Sequence, residues 1–349
     1  MTNGIKIWFK QKTESICAKL EKSILSKKST KCRVVFGPVR SRRLGSVLGI
    51  NNIKQNACSY NCIYCPSGKT SCCSICTNNC LSPYELHLFV RNKLAEIEKS
   101  GKKIDFIVFA GSGEPTLDSS LSKEISLLRE FGYKIAVFTN SSLLWNDNIQ
   151  ESLLYADYVS VKIDTVNEET WMKINRPHRR LDYSHILNGI KQFSNRFQGI
   201  LTTETMLIKN FNDNADEIQQ LAEYLNTLNR QVSYFMTPMY PPTEYYAIGP
   251  DTETLSILSV LIKEKVKNSV LLCCPETEEF FATDDFENEL LGLLALHPVG
   301  VDAVKQFVKG NGELKKLNEL IENHFIKEVV HNNKKFYAIS DEQPIELNI

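Results

Sequence analysis

Cys58, Cys62 and Cys65 stand three and then two residues apart in Cys58-Ser59-Tyr60-Asn61-Cys62-Ile63-Tyr64-Cys65, so their thiols belong to one short loop around one metal centre. Three thiolates can hold three irons of a 4Fe–4S cluster. No fourth cysteine completes the run, so the remaining iron would keep a coordination position open for a small molecule. Such a site is reactive rather than closed. The competing reading is a zinc knuckle, which calls for four ligands in two paired ribbons at tetrahedral geometry.

The elements that must position this loop repeat along the chain. Amphipathic helical stretches near 83–99, 119–131, 147–155, 182–196, 213–228 and 251–268 alternate with short apolar runs: Ile104–Phe109, Ile135–Phe138, Tyr158–Val161, Ile200–Ile208 and Val232–Met236. With a strand at 47–51 leading into the cysteine loop, these are six β/α units, the pattern of parallel strands joined by helical crossovers. The expected fold is α/β, a partial (β/α)6 TIM-like barrel. Function in such barrels gathers at the carboxyl ends of the strands.

The polar motifs fall at those ends. Gly111-Ser112-Gly113-Glu114 follows the second strand, where the glycines let backbone approach a ligand and Glu114 adds a charge. Asn140 and Ser141 follow the third strand, and Lys162 and Asp164 the fourth. Short polar residues of this kind also cap helices. Glu204 lies mid-strand between Thr203 and Thr205, where an unpaired carboxylate would be costly. It should face Lys162, another cation or the ligand.

The cysteine spacing, with the aromatic Tyr64 before the last thiol, resembles the signature of the radical S-adenosylmethionine (SAM) superfamily. That resemblance implies a 4Fe–4S cluster whose open iron is chelated by SAM, reductive cleavage to methionine and a 5′-deoxyadenosyl radical, and hydrogen abstraction from a substrate. It implies an electron donor such as ferredoxin or flavodoxin. It also places Tyr64, Gly111, Ser112, Gly113, Glu114, Asn140, Ser141, Lys162, Asp164 and Glu204 around SAM. Gly37–Gly45, with its Ser-Arg-Arg, and Asn175-Arg176-Pro177-His178 resemble a subgroup of iron–sulfur oxidoreductases distantly similar to the tRNA wyosine-base synthesising enzymes, over about residues 33–245. Arg42, Arg43, Arg176 and His178 would suit an anionic substrate or the SAM carboxylate, or form a solvated basic rim.

One run departs from the subgroup. Cys72, Cys73, Cys76 and Cys80 occupy a loop expected to lack cysteine, and this density of thiols suggests a second iron–sulfur cluster or a zinc ion. Cys17, Cys32, Cys273 and Cys274 are further candidate ligands, although Cys273-Cys274 ends an apolar run and reads better as core. Eleven cysteines in 349 residues, without an N-terminal apolar leader, point to metal rather than disulfides and to a cytoplasmic protein.

Lys plus Arg and Asp plus Glu each number 41, so no overall field recruits nucleic acid or an anionic membrane. Residues 1–30 read as a polar helix, 31–275 as the core barrel and 280–349 as a second domain. There, helices around Leu290–Leu294, 300–309 and 313–324 precede a hairpin turning at Asn332-Asn333, which suggests a winged-helix-like module. Lys315 and Lys316 beside Glu313, Glu319 and Glu322 make a poor phosphate-binding face, favouring docking over DNA. The leading expectation is a radical SAM enzyme acting on an unidentified substrate, with a peptide or protein as the candidate. The alternatives are a tRNA-modifying radical SAM enzyme and a non-enzymatic iron–sulfur redox sensor.

Overall fold

The computed structural model describes residues 34–273, 280–282 and 285–340. The expected N-terminal helix over 1–30, and Cys17, Cys32 and Cys274, lie outside them.

An eight-stranded sheet forms the centre, in the order β1-β2-β5-β6-β7-β8-β9-β10. β1 (Val35–Ser41) and β2 (Gly45–Ile50) are an antiparallel hairpin. From β2 onward every neighbour is parallel: β5 (Phe106–Phe109), β6 (Lys134–Thr139), β7 (Tyr158–Lys162), β8 (Ile200–Met206), β9 (Val232–Met236) and β10 (Ser269–Leu272). Six of these were expected. The seventh, β10, is the run read as core at Val270-Leu271-Leu272.

The crossovers are α1 (Pro83–Lys99), α2 (Leu121–Leu128), α3 (Asp147–Leu153), α4 (Glu168–Asn175) with α5 (Tyr183–Arg196), α6 (Ala215–Leu225) and α7 (Thr252–Lys265). Because the order in the sheet follows the order in the chain, crossovers of one hand place their helices on one face. The main core shows this, joining Ile107, Phe109, Ile135, Val137, Val159, Val161 and Leu201 on strands to Ile97, Ile125, Leu153, Ile190 and Leu221 on helices. The opposite face carries Phe138, Ser160, Lys162 and Glu204, and these line a cavity.

After the core come α8 (Phe286–Leu294), β11 (Val299–Gly300), α9 (Val301–Asn311), α10 (Leu314–Glu322), β12 (Ile326–His331) and β13 (Lys334–Ile339), with sheet order β11-β13-β12. Asn332 and Asn333 both take left-handed backbone, at φ 48° and 59°, as a two-residue hairpin turn requires. This unit packs on the first hairpin: Phe36 joins Phe286, Leu290 and Tyr337 in one cluster. Lys93 of α1 reaches Glu289 of α8 at 2.8 Å, with both side chains largely buried. Among the described residues no helix is long and apolar enough to cross a membrane.

Candidate active site

β2 ends at Ile50, and the chain then enters the cysteine loop through a two-residue strand β3 (Ala57–Cys58), which pairs with β4 (Cys72–Cys73). Two distant segments pin the loop by backbone hydrogen bonds. From α4 and the residues after it, Asn61 N donates to Asn175 O at 2.9 Å, Ile63 N to Ile174 O at 2.9 Å, and His178 N to Ser59 O at 2.9 Å. On the other side, Glu244 N donates to Ile63 O at 2.9 Å and Thr243 Oγ1 to Cys65 O at 2.9 Å.

Two asparagines address the sulfurs themselves. Asn140 Nδ2 donates to Cys58 Sγ at 3.3 Å and to Ser59 Oγ at 2.9 Å. Asn175 Nδ2 donates to Cys62 Sγ at 3.4 Å and to Asp164 Oδ2 at 2.7 Å. Donors aimed at a sulfur favour its thiolate form. Burial works the other way: it pushes the Cys58 and Cys65 thiols up, Cys58 further through neighbouring Cys62, and pushes Cys62 up to about 12 with help from Cys65 and Asp164. Three half-buried, neighbouring thiols are costly to ionise together without a compensating cation.

The three cysteines share a cavity of about 340 Å³ with Gly111–Glu114, Asn140, Lys162 and Glu204. Gly113 is a glycine by necessity, since a Cβ there would stand 1.9 Å from Ala57 O, and one at Gly111 would stand 2.1 Å from Asn51 Oδ1. Gly113→Ala should therefore destabilise the fold by about 1–3 kcal/mol, as overpacking does. Thermal melting checks this, and an unchanged midpoint would mean that the turn yields freely.

Several expected ligand residues brace the site. Glu114 is buried, and its oxygens accept from Thr116 N at 3.1 Å, Thr116 Oγ1 at 2.6 Å, Thr139 Oγ1 at 2.6 Å and Asn140 N at 2.7 Å. It lines the cavity, with Oε1 taking the three bonds from Thr116 and Thr139 and Oε2 the one from Asn140 N. Asp164 accepts from Tyr64 Oη, Asn175 Nδ2 and, at 2.8 Å, Met206 N, and it does not line the cavity. Ser141 takes left-handed backbone at φ 70°, donates to Lys162 O at 3.0 Å and also stays outside. Neither is a helix cap: Asn146, Asn167, Asp182, Asn214 and Asp251 serve there.

Glu204 meets two cations, Lys162 Nζ at 2.6 Å and Arg43 Nη2 at 2.8 Å. Burial pushes its carboxyl up, but Lys162 and Arg43 together hold it down at about 2. Arg43 arrives from the β1–β2 turn, with its guanidinium 4.5 Å from the Phe138 ring centroid. Arg176 instead pairs outward with Glu244 and donates to Tyr246 Oη at 2.7 Å. The role of Arg43 was open in the sequence. Asn175 belonged only to a resemblance, and His297, which lines the cavity from the C-terminal unit, carried no local signal.

Cys72, Cys73 and Cys76 are exposed and Cys80 is half-buried. Among the described residues, no three His, Cys, Asp or Glu side chains converge on a point that would hold a single metal ion.

Asn140→Ala removes the N–H directed at Cys58 and leaves the thiol in place. Loss of such an outer partner should lower metal affinity by about 10–100-fold. Iron retained per chain under a chelator challenge measures it, and wild-type retention would assign Asn140 a purely structural role.

Comparison with known proteins agrees with this geometry. Residues 52–225 match the Radical SAM superfamily. A UPF0026 protein of Methanocaldococcus jannaschii is 36% identical over 307 residues, covering 87% of this chain and 95% of that one. A UPF0026 protein of Helicobacter pylori is 32% identical over 199 residues, covering 56% of this chain and 63% of that one. A crystal structure of a radical SAM methyltransferase from Sphaerobacter thermophilus superposes with a TM-score of 0.51 at 17% identity, over 66% of this chain and 67% of the other, a likeness of fold alone. Membership implies a 4Fe–4S cluster and SAM, and it sets aside the sensor reading. With its three cysteines gathered on one loop above a parallel sheet, the chain belongs to the radical SAM superfamily and is an enzyme of that type.

Proposed function

We propose that Cys58, Cys62 and Cys65 hold a 4Fe–4S cluster, and that the cavity of about 340 Å³ beside them receives SAM for reductive cleavage and hydrogen abstraction from a substrate. When bound, this pair supplies one-electron scission of a sulfur–carbon bond and a carbon radical that takes hydrogen from the substrate. The observation that carries the reading is the shared lining: the three thiols, the Gly111–Gly113 turn and Lys162 all face one cavity. The donor set fits the cluster, because three crowded, half-buried thiols ionise together only beside a cationic centre.

The chain's own residues divide the work. Asn140 and Asn175 orient Cys58 and Cys62 through N–H to sulfur bonds. The Gly111–Gly113 backbone forms a close wall to which no side chain could be added without displacement. Lys162 lines the cavity and offers its ammonium to the SAM carboxylate, while Glu204, paired with both Lys162 and Arg43, holds that ammonium in place. Leu296 and His297 cover the cavity from the C-terminal unit, with Ser67 Oγ donating to Leu296 O, which limits water near a reactive intermediate. In this reading the sheet curls into a partial barrel and the C-terminal unit is winged-helix-like.

The test is anaerobic. The protein is reconstituted with iron and sulfide, reduced and given SAM, and 5′-deoxyadenosine is separated by chromatography. Product that depends on reductant and on the three cysteines is the expected result. A protein with an intact cluster that neither cleaves nor binds SAM would overturn the proposal.

A further inference from the structure

A second cavity, of about 470 Å³, lies at the carboxyl ends of β8 and β9, and the roles above leave it unused. Glu204 and Met206 are two residues apart on β8, so their side chains take the same face of the strand. Their register partners on β9 are Tyr234 and Met236. Glu204 belongs to the polar floor beside the cysteine loop, and Tyr234 stacks under the same Arg43, with 5.2 Å from guanidinium carbon to ring centroid. Met206 and Met236 line the second cavity. The two spaces are therefore successive steps along one surface. Where they meet, Tyr240 of the second stacks on His297 of the first at 4.5 Å.

The lining of this cavity differs from that of the first. Three of the chain's five methionines, Met206, Met236 and Met239, face it. Thioethers adapt to irregular apolar shapes. Among the described residues its charged lining consists of Arg42 and Lys334, without Asp or Glu. Arg42 is held by donating to Leu272 O at 2.9 Å. Lys334 begins β13 beside the Asn332-Asn333 turn, is exposed, and makes no ion pair among the described residues. Asn332 of the same turn reaches Pro238 O at 3.5 Å, so the C-terminal hairpin forms one wall.

We propose that this cavity seats the substrate, and that the substrate is a small organic anion whose apolar body rests on the methionines while its carboxylate or phosphate faces Lys334. The word substrate rests on the radical SAM reading; the binding preference does not. Three probes share one apolar body and differ in charge: 2-naphthoate, 2-naphthylmethanol and 2-naphthylmethylammonium. They are titrated into the full chain carrying carbon-13 at its methionine methyls, with resonances assigned by single Met→Leu variants.

2-Naphthoate should shift Met206, Met236 and Met239 and leave Met172, exposed on α4, unmoved. It should bind more tightly than the alcohol, with the ammonium weakest. Lys334→Glu, at an exposed position, should weaken 2-naphthoate by about fivefold and strengthen the ammonium. Absence of shifts, shifts confined to Met172, or an order of affinity that ignores charge or survives Lys334→Glu would overturn the proposal. Because this readout uses neither reductant nor SAM, its failure is distinguishable from a failure to cleave SAM.

Discussion

Cys62→Ala is expected to abolish 5′-deoxyadenosine formation while leaving a folded protein. The loop does not depend on this side chain for its shape, because Asn61 and Ile63 on either side donate to Asn175 and Ile174 backbone at 2.9 Å each. On the proposed assignment, what is lost is one of three thiolates, which leaves one iron of the cluster without its protein ligand. The loss should exceed the about 10–100-fold typical of outer-shell changes at metal sites. Cys273→Ala supplies the control: Cys273 Sγ lies 3.9 Å from Phe235 O and lines the second cavity, so cleavage should remain largely intact. Deoxyadenosine from Cys62→Ala at the wild-type rate would move the cluster to other ligands.

Glu204→Gln should produce the largest loss of stability. Lys162 and Arg43, whose side chains are 18% and 9% exposed, would be left as buried cations without their shared carboxylate. Breaking a buried pair from one side costs about 3–5 kcal/mol. At about 1.4 °C per kcal/mol for a chain of 349 residues, the melting temperature should fall by at least about 4 °C.

The pH dependence has a definite sign. The Glu204 carboxyl is held at about 2, below its ordinary 4.5, so its contribution is complete above the ordinary value and is lost as pH falls toward 2. Lys162 is lowered by burial but raised more by Glu204 and Asp164; its contribution is complete below its ordinary 10.5 and is lost only as pH rises through the elevated value. Wild type should thus lose stability on acidification in a window where Glu204→Gln has nothing further to lose from this group. Parallel melting curves for the two proteins between neutral and acidic pH would remove Glu204 as the cause.

The alternation of strands and helices was legible because a parallel strand buried on both sides is written as an apolar run. β10 escaped because Val270-Leu271-Leu272 is only a short apolar run at the sheet edge. α4 escaped because its apolar residues are few: Trp171 and Ile174 are buried, and Met172 is 52% exposed. The cysteines were legible because their chemistry depends on local spacing. Asn175 reaches Cys62 from 113 residues away, and Arg43 reaches Glu204 across most of the sheet, so no local pattern could announce either. Asp164 and Ser141 carry the right chemistry at the right strand ends. Only the backbone turn beyond each strand decides that they brace neighbours instead of facing the cavity.

The segments that clamp the cysteine loop also govern where this chain tolerates a change of length. Surface connections usually absorb insertions, and those around Gly101 and Gly132, where an added Cβ meets nothing within 4 Å, have room to do so. The connections at 174–178 and 243–244 do not, because each is hydrogen-bonded in register to the loop that carries the thiols. One extra residue there would slide the donors past their acceptors and shift the sulfurs from more than a hundred positions away. Tags, cleavage sites and grafted sequences therefore belong at the first pair of turns, and a homologue that differs in length at the second pair should differ in its metal centre as well.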